Sequence, residues 1–150
     1  MLRTMMKSKI HRAIVTETNL DYEGSLLIDT DLLKAADILP NEQIHVWDVT
    51  SGNRLVTYAL AGEPGSGVIQ VNGGGAHLIK KGDIIIIATF TEMKTKAAKK
   101  FQPTIIFVNE KNQPQTDPFM KTEDFAASDD AQPAAESVVS PAKTRGRKKA

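Results

Sequence analysis

The chain of 150 residues contains no cysteine, which excludes disulfides, a thiolate nucleophile and zinc held by sulfur. Any nucleophile must be an oxygen or a nitrogen. Aromatic residues make up only 5% of the chain, with a single Trp, so the core has to come from aliphatic side chains. Long apolar runs are missing too. The longest, "IIIIATF" from Ile84 to Phe90, already contains Thr89, and a membrane-crossing helix needs roughly 20 apolar residues. The N-terminal "MLRTMMKSKIHR" is basic but is followed by no apolar stretch of signal-peptide length and no small-residue cleavage pattern. The expectation is a cytoplasmic protein with no membrane segment. His45 and His77 have no acidic residue at ligand spacing, so no metal site is expected.

Net charge is nearly absent at +1, but its distribution is uneven. Residues 1–108 carry 12 Lys and Arg against 11 Asp and Glu, residues 109–142 carry 2 against 7, and residues 143–150 carry 5 against none. A neutral first part argues against nucleic acid as its partner, because phosphate binding needs excess cations. The basic end "KTRGRKKA" can contact phosphates or simply be solvated.

What the sequence does have is strand pattern. "KIHRAIVT" alternates with a period of two, placing Lys9 and His11 on one face and Ile10, Arg12 and Ile14 on the other. "SLLI" reads as a short strand leading into "DTDLLKAADI", where Asp29 or Thr30 can cap a two-turn helix that turns Leu32, Leu33 and Ala36 inward. "IHVWDV" and "RLVTYAL" flank "TSGN", a hairpin loop in which Gly52 can take positive φ. "GVIQV", "IIIIATF" and "TIIFV" complete the set. Short strands with few helices predict a mainly β protein, a small closed barrel, with an open sandwich as the competing arrangement. From Asn109 onward the periodicity fails and Pro, Ala, Ser and charge take over. The expected division is a barrel domain over 1–112 and a disordered charged tail over 113–150.

Several residues invite chemistry, each with a plainer alternative. Gly73, Gly74 and Gly75 can bring backbone N–H groups against an anion or form a tight turn, and they lack the spacing of the dinucleotide and Walker fingerprints. Arg54 and Tyr58 share a strand face, suiting a carboxylate clamp and a proton donor, or a solvated Arg and a half-buried Tyr. Lys9 and His11 form a basic strip that can equally be wet surface. In "DYEGSLLI" an exposed loop enters a strand through Gly24-Ser25. A serine hydroxyl there can attack the preceding carbonyl, since Gly offers no side chain to obstruct it, or the pair can be a turn. On pattern alone, a non-enzymatic β-barrel binding module with a nucleic-acid-contacting tail stays open.

Taken together, "MLRTMMKSKIHRA", "LDYEGS", "IDTDLLKAADILPNEQIHVWDVTSGNRLVTYA", "VNGGGAH" and "GDIIIIATF" resemble the aspartate 1-decarboxylases, pyruvoyl-dependent enzymes that make β-alanine for pantothenate. The resemblance covers nearly all of residues 1–108 and is silent on the tail. It implies a six-stranded double-psi β-barrel, assembled as a homotetramer with active sites between subunits. It also implies an inactive precursor that cuts itself at Gly24-Ser25, in some relatives with a maturation helper protein, and leaves a pyruvoyl cofactor in place of Ser25. That group captures L-aspartate as a Schiff base. By the same resemblance Thr57 is the oxyanion donor during cutting and lies beside the substrate. Arg54 clamps a substrate carboxylate with help from Lys9, Tyr58 reprotonates the carbanion, and the backbone of Gly73, Gly74 and Gly75 contacts substrate. His11 and Asn72 are supporting residues. One tension follows: Thr57 and Tyr58 are adjacent on a strand and should face opposite sides.

Overall fold

The β-branched and aliphatic runs become strands in the computed structural model, which describes residues 1–117. In chain order the elements are β1 (Leu2–Ile14), β2 (Glu17–Asn19), β3 (Leu26–Asp29), helix α1 (Thr30–Ala35), β4 (Gln43–Asp48), β5 (Arg54–Gly62), β6 (Ile69–Asn72), a 3-10 turn (Gly73–His77), β7 (Ile84–Lys94), helix α2 (Thr95–Ala98), β8 (Thr104–Val108) and β9 (Pro114–Gln115). The architecture is mainly β, with short helices. Among the described residues no helix is long and apolar enough to cross a membrane.

Hydrogen-bonded neighbours run β2-β6-β3-β5-β4-β7-β1-β8-β9. β1 and β2 are two halves of one passage of chain, interrupted at Val15 and Thr16, whose amides donate to Asp83 O and Ile69 O at 2.9 and 2.8 Å. That passage pairs with β7 through its first half and with β6 through its second, and so closes the sheet. Counting it once, six strands form the barrel, and β8 and β9 extend from β1. Closure satisfies the backbone groups that open edges would leave unpaired. Inside lie Ile10, Ile28, Ile44, Ile69, Ile85 and Ile87, all at 0% exposure. This is the aliphatic core that a chain poor in aromatics has to build.

Asp29, rather than Thr30, caps α1: its Oδ1 accepts from Asp31 N at 2.8 Å. The same carboxylate accepts from Gly65 N at 3.0 Å and Gly67 N at 2.7 Å, pinning the loop before β6 to the start of the helix. Leu32, Leu33 and Ala36 turn inward as the pattern predicts. The β4–β5 hairpin pairs antiparallel, with Ile44 opposite Thr57, and Gly52 in its loop takes φ +82°.

β1 departs from simple alternation. Its register against β7 shifts between Ile10 and Ala13, and Arg12 adopts φ +64°. The bulge inserts one residue, so Ile10 and Ala13 are both buried and exposed Arg12 does not share the face of Ile10. The segment after Asn109 is also more regular than its composition suggests. Asn109 N donates to Gln113 O at 2.9 Å, and β9 then pairs antiparallel with β8. Most of the expected tail, residues 118–150, lies outside the described residues.

Candidate active site

Asn72 closes β6 opposite the entry to β3, and there main chain and side chain grip the same partner. Its backbone N donates to Ser25 O at 2.9 Å, and its Nδ2 donates to Ser25 Oγ at 3.0 Å. The Ser25 hydroxyl in turn donates to Glu23 O at 3.0 Å. Gln70, half-buried two residues before Asn72 on the same strand face, donates from Nε2 to Asn72 Oδ1 at 2.7 Å. Ser25 and Asn72 are each only 2% exposed. The loop residue that the sequence placed at a strand entrance is therefore held from several directions.

The other side of the Gly24-Ser25 bond is shaped by β5 and the glycine turn. Thr57 Oγ1 donates to Gly24 O at 3.5 Å. Gly73 takes φ +62°, and a Cβ there would stand 2.8 Å from Gly24 Cα, 2.9 Å from Gly24 N and 3.0 Å from Tyr22 O. Only glycine permits that approach. In front of Ser25 opens a cavity of about 360 Å³ lined by Gly24, Ser25, Thr57, Asn72, Gly74 and Gly75, with aliphatic side chains from β4, β5 and β6 filling its walls. Chemically this is a buried hydroxyl next to a peptide carbonyl, with a second hydroxyl against that carbonyl's oxygen.

The aspartate decarboxylase sequence profile matches residues 1–115. The chain is 56% identical over 112 residues to the aspartate 1-decarboxylase of Myxococcus xanthus (strain DK1622), covering 75% of this chain and 86% of that protein. It is 54% identical over 114 residues to the aspartate 1-decarboxylase of Thermoanaerobacter pseudethanolicus (strain ATCC 33223 / 39E), covering 76% and 97%. The chain belongs to the aspartate decarboxylase family. The family's namesake from Syntrophotalea carbinolica (strain DSM 2380 / NBRC 103641 / GraBd1) is 51% identical over 116 residues, covering 77% and 88%. Among solved structures, the computationally designed msDPBB_sym2 protein covers 57% of this chain and 96% of its own at 10% identity and a TM-score of 0.38, which adds nothing to the strand order given above.

Of the residues that the sequence suggests for this decarboxylase, Gly24, Ser25, Thr57, Asn72, Gly73, Gly74 and Gly75 come together at one place. Lys9, His11, Arg54 and Tyr58 do not line the cavity. Arg54 is exposed and stacks over Trp47 at 5.5 Å from the ring centroid. Tyr58 lies opposite Gln43, on the face of β5 away from Thr57, as strand alternation requires. Lys9 sits on β1 opposite Ala88 of β7 and Ile105 of β8. His11 packs edge-on against Phe107 at 5.3 Å and faces a separate cavity with Arg12, Ile14 and Gln115. Its basicity is lowered by burial, then by Lys9 and Arg12, against an opposing pull from Asp117. No group of three or more His, Asp or Glu suited to a metal occurs among the described residues. Sequence reasoning missed Gln70. Its spacing of two from Asn72 was the available signal, since strand residues i and i+2 share a face.

Proposed function

We propose that this chain makes its own catalytic group by cutting itself at Gly24-Ser25, leaving a pyruvoyl group where Ser25 stood. Aspartate decarboxylation follows from family membership: L-aspartate loses its α-carboxylate as CO2 and becomes β-alanine for pantothenate synthesis. The observation that carries the self-cutting is the flanking of one peptide bond by two hydroxyls, Ser25 Oγ as nucleophile and Thr57 Oγ1 at 3.5 Å from Gly24 O.

The steps balance on the chain's own atoms and one water. Ser25 Oγ bonds to the Gly24 carbonyl carbon, whose oxygen gathers charge against Thr57, and the C–N bond breaks as the hydroxyl proton passes to the Ser25 nitrogen, leaving an ester and a free amine. Loss of the Ser25 α-proton then breaks the Cβ–Oγ bond, giving a Gly24 carboxylate and a dehydroalanine N-terminus. Water hydrolyses its imine tautomer to a ketone, and ammonia leaves. The surroundings fit a ketone at position 25, because Asn72 Nδ2 already points a donor at the Ser25 side chain from 3.0 Å. The pyruvoyl carbonyl supplies the electron sink for decarboxylation. Asn72, Thr57 and the backbone at Gly73, Gly74 and Gly75 would hold that group and the substrate beside it.

The cavity has no cation among its lining residues, yet its substrate is a dicarboxylate, and a charge-assisted partner is needed to capture it. We assign that role to Arg54 with Lys9, and reprotonation to Tyr58, whose phenolic O–H is a donor. His11 supports the β1 strip that carries Lys9. All four lie off the cavity of their own chain, which supports sites formed between neighbouring subunits; the proposed assembly is a homotetramer and the proposed compartment the cytoplasm. The binding-module reading is not favoured, since residues 1–108 are neutral and the family is enzymatic.

Denaturing mass spectrometry of the purified protein tests this. It should give one fragment ending at Gly24 and a second whose blocked first residue has the pyruvoyl mass. Ser25→Ala should stay whole and inactive. A wild-type chain that stays whole on prolonged warming, with or without a maturation helper, would sink the proposal.

A further inference from the structure

We infer that Gln70 is a positioning residue for self-cutting: it fixes the amide of Asn72 so that a donor, rather than an acceptor, faces the Ser25 hydroxyl. The inference rests on the self-cutting proposed above and follows from counting protons along one hydrogen-bonded line. Glu23 O is a carbonyl and can only accept, so the contact at 3.0 Å commits the single Ser25 hydroxyl proton to it. Ser25 Oγ must then accept from Asn72, and the Asn72 atom facing it at 3.0 Å must be the amide nitrogen. Asn72 Oδ1 is thereby turned toward Gln70, which must present its own NH2 across 2.7 Å. The polarity of the whole line is set by a group that cannot reverse, and Gln70 is its far end.

This line matters for the attack. With the proton on Glu23 O and one lone pair on Asn72, Ser25 Oγ keeps a second lone pair for the neighbouring Gly24 carbonyl carbon. Were the Asn72 amide flipped, the one hydroxyl proton would face two acceptors, Glu23 O and Asn72 Oδ1, and the hydroxyl would lose its fixed orientation. Asn72 cannot choose between these states alone, because its amide nitrogen and oxygen are nearly the same size. The backbone bond from Asn72 N to Ser25 O, 2.9 Å, holds the strand in either case and does not select the flip. Glu23 O sets the polarity, and Gln70 holds it by presenting an NH2 that Asn72 Oδ1 accepts.

The decisive variant is Gln70→Glu, which preserves shape and replaces the donor by an acceptor. At neutral pH the carboxylate would accept from Asn72 Nδ2 and favour the flipped amide. Below its own titration, with an ordinary glutamate value near 4.3, the neutral acid can donate again. Glu17, the register partner of position 70 on β2, is the acidic group opposite it and would move that titration upward. The uncut fraction is followed by denaturing mass spectrometry in wild type, Gln70→Glu and Gln70→Met, with circular dichroism confirming that each uncut chain is folded. Gln70→Glu should cut roughly tenfold more slowly than wild type at neutral pH, the scale of one lost hydrogen bond, and should recover toward the wild-type rate as the pH falls. Gln70→Met, with no group to titrate, should be slow at every pH. Wild-type cutting by Gln70→Glu at neutral pH, or an equal and pH-independent slowing of both variants, would overturn the relay alone. A wild-type chain that never cuts would overturn both the relay and the self-cutting it serves.

Discussion

Thr57 and Tyr58 are neighbours in sequence and are assigned different parts in the proposed reaction. Strand alternation turns Thr57 toward Gly24 and Tyr58 to the opposite face of β5. Removing the Thr57 hydroxyl as Thr57→Val deletes the donor at the developing oxyanion. Self-cutting should slow by roughly 100-fold, the usual cost of losing one such donor, as read from fragment masses over time. Tyr58→Phe should leave fragment formation at the wild-type rate and lower turnover of aspartate by the processed enzyme. Equal rates of β-alanine release from processed Tyr58→Phe and wild type would remove Tyr58 as the proton donor. His11 makes a second case at this scale. Its imidazolium is disfavoured in the fold by burial, and then by Lys9 and Arg12, so between its lowered value and the ordinary 6.5 the unfolded chain binds the proton and the folded chain does not. Stability therefore falls as pH drops through that window. Denaturant unfolding at about pH 8 and about pH 5 should show a larger loss in wild type than in His11→Gln. Individual residues were legible in the sequence to the degree that they carry a motif. Ser25, Thr57 and Asn72 came with the resemblance. Gln70 did not, because a glutamine two positions from an asparagine looks like any polar strand face until its partner's orientation is known.

At the scale of elements, the strands followed the period-two pattern closely, and the exceptions were places where backbone geometry changes without a sequence mark. The bulge in β1 is one: Arg12 takes a positive φ that its residue type does not advertise, and the inward face shifts by one residue after it. The glycine turn is another. Its three glycines read as one motif, but the structure gives them different duties. Gly73, at φ +62°, packs its Cα against Gly24, whereas a Cβ on Gly74 would meet nothing within 4 Å. Gly73→Ala would add the usual penalty for a left-handed L-residue, about 1 to 2 kcal/mol, and would also push against the peptide that must be cut. Gly74→Ala would do neither. The expected outcome is a folded Gly73→Ala chain that cuts poorly and a Gly74→Ala chain that cuts at the wild-type rate. Wild-type cutting by both variants would show that the turn leaves the scissile segment untouched.

The whole molecule raises the question of where its working unit ends, in two senses. Along the surface, Arg54 and Tyr58 stand on the outer face of β5 beside His45 and Trp47 of β4, and Phe90 packs against both rings at 4.9 and 6.4 Å. The proposed substrate cation thus lies outside the lining of its own chain's cavity. Dilution of processed enzyme to monomers should abolish β-alanine release while leaving the fragments cut, and Arg54→Ala should raise KM by roughly ten- to a hundredfold, the scale of a lost charge-assisted pair. In the proposed assembly the complementing residues come from another copy, which no single-chain pattern of spacing or periodicity reveals. Along the chain, composition suggests an end soon after Val108, yet Asn112 is 2% exposed and its side chain takes Ile14 N at 2.7 Å and gives to Ile14 O and Gly67 O at 2.8 Å each. It bridges the point where β1 breaks before β2 to the loop that precedes β6, the strand carrying Gln70 and Asn72. Asn112→Ala would leave those main-chain groups without partners, at about 3 kcal/mol, measurable by denaturant unfolding. The family match ends at residue 115, and every residue placed at the site precedes it. A chain ending after Asp117 should therefore cut itself, assemble and release β-alanine like the full-length protein, whereas one ending after Glu110, which lacks Asn112, should be less stable and cut more slowly. Sedimentation and fragment masses compare the three. Full function in the chain ending at Glu110 would show that Asn112 is dispensable to the barrel, and loss of function in the chain ending at Asp117 would place working residues in the charged segment beyond it.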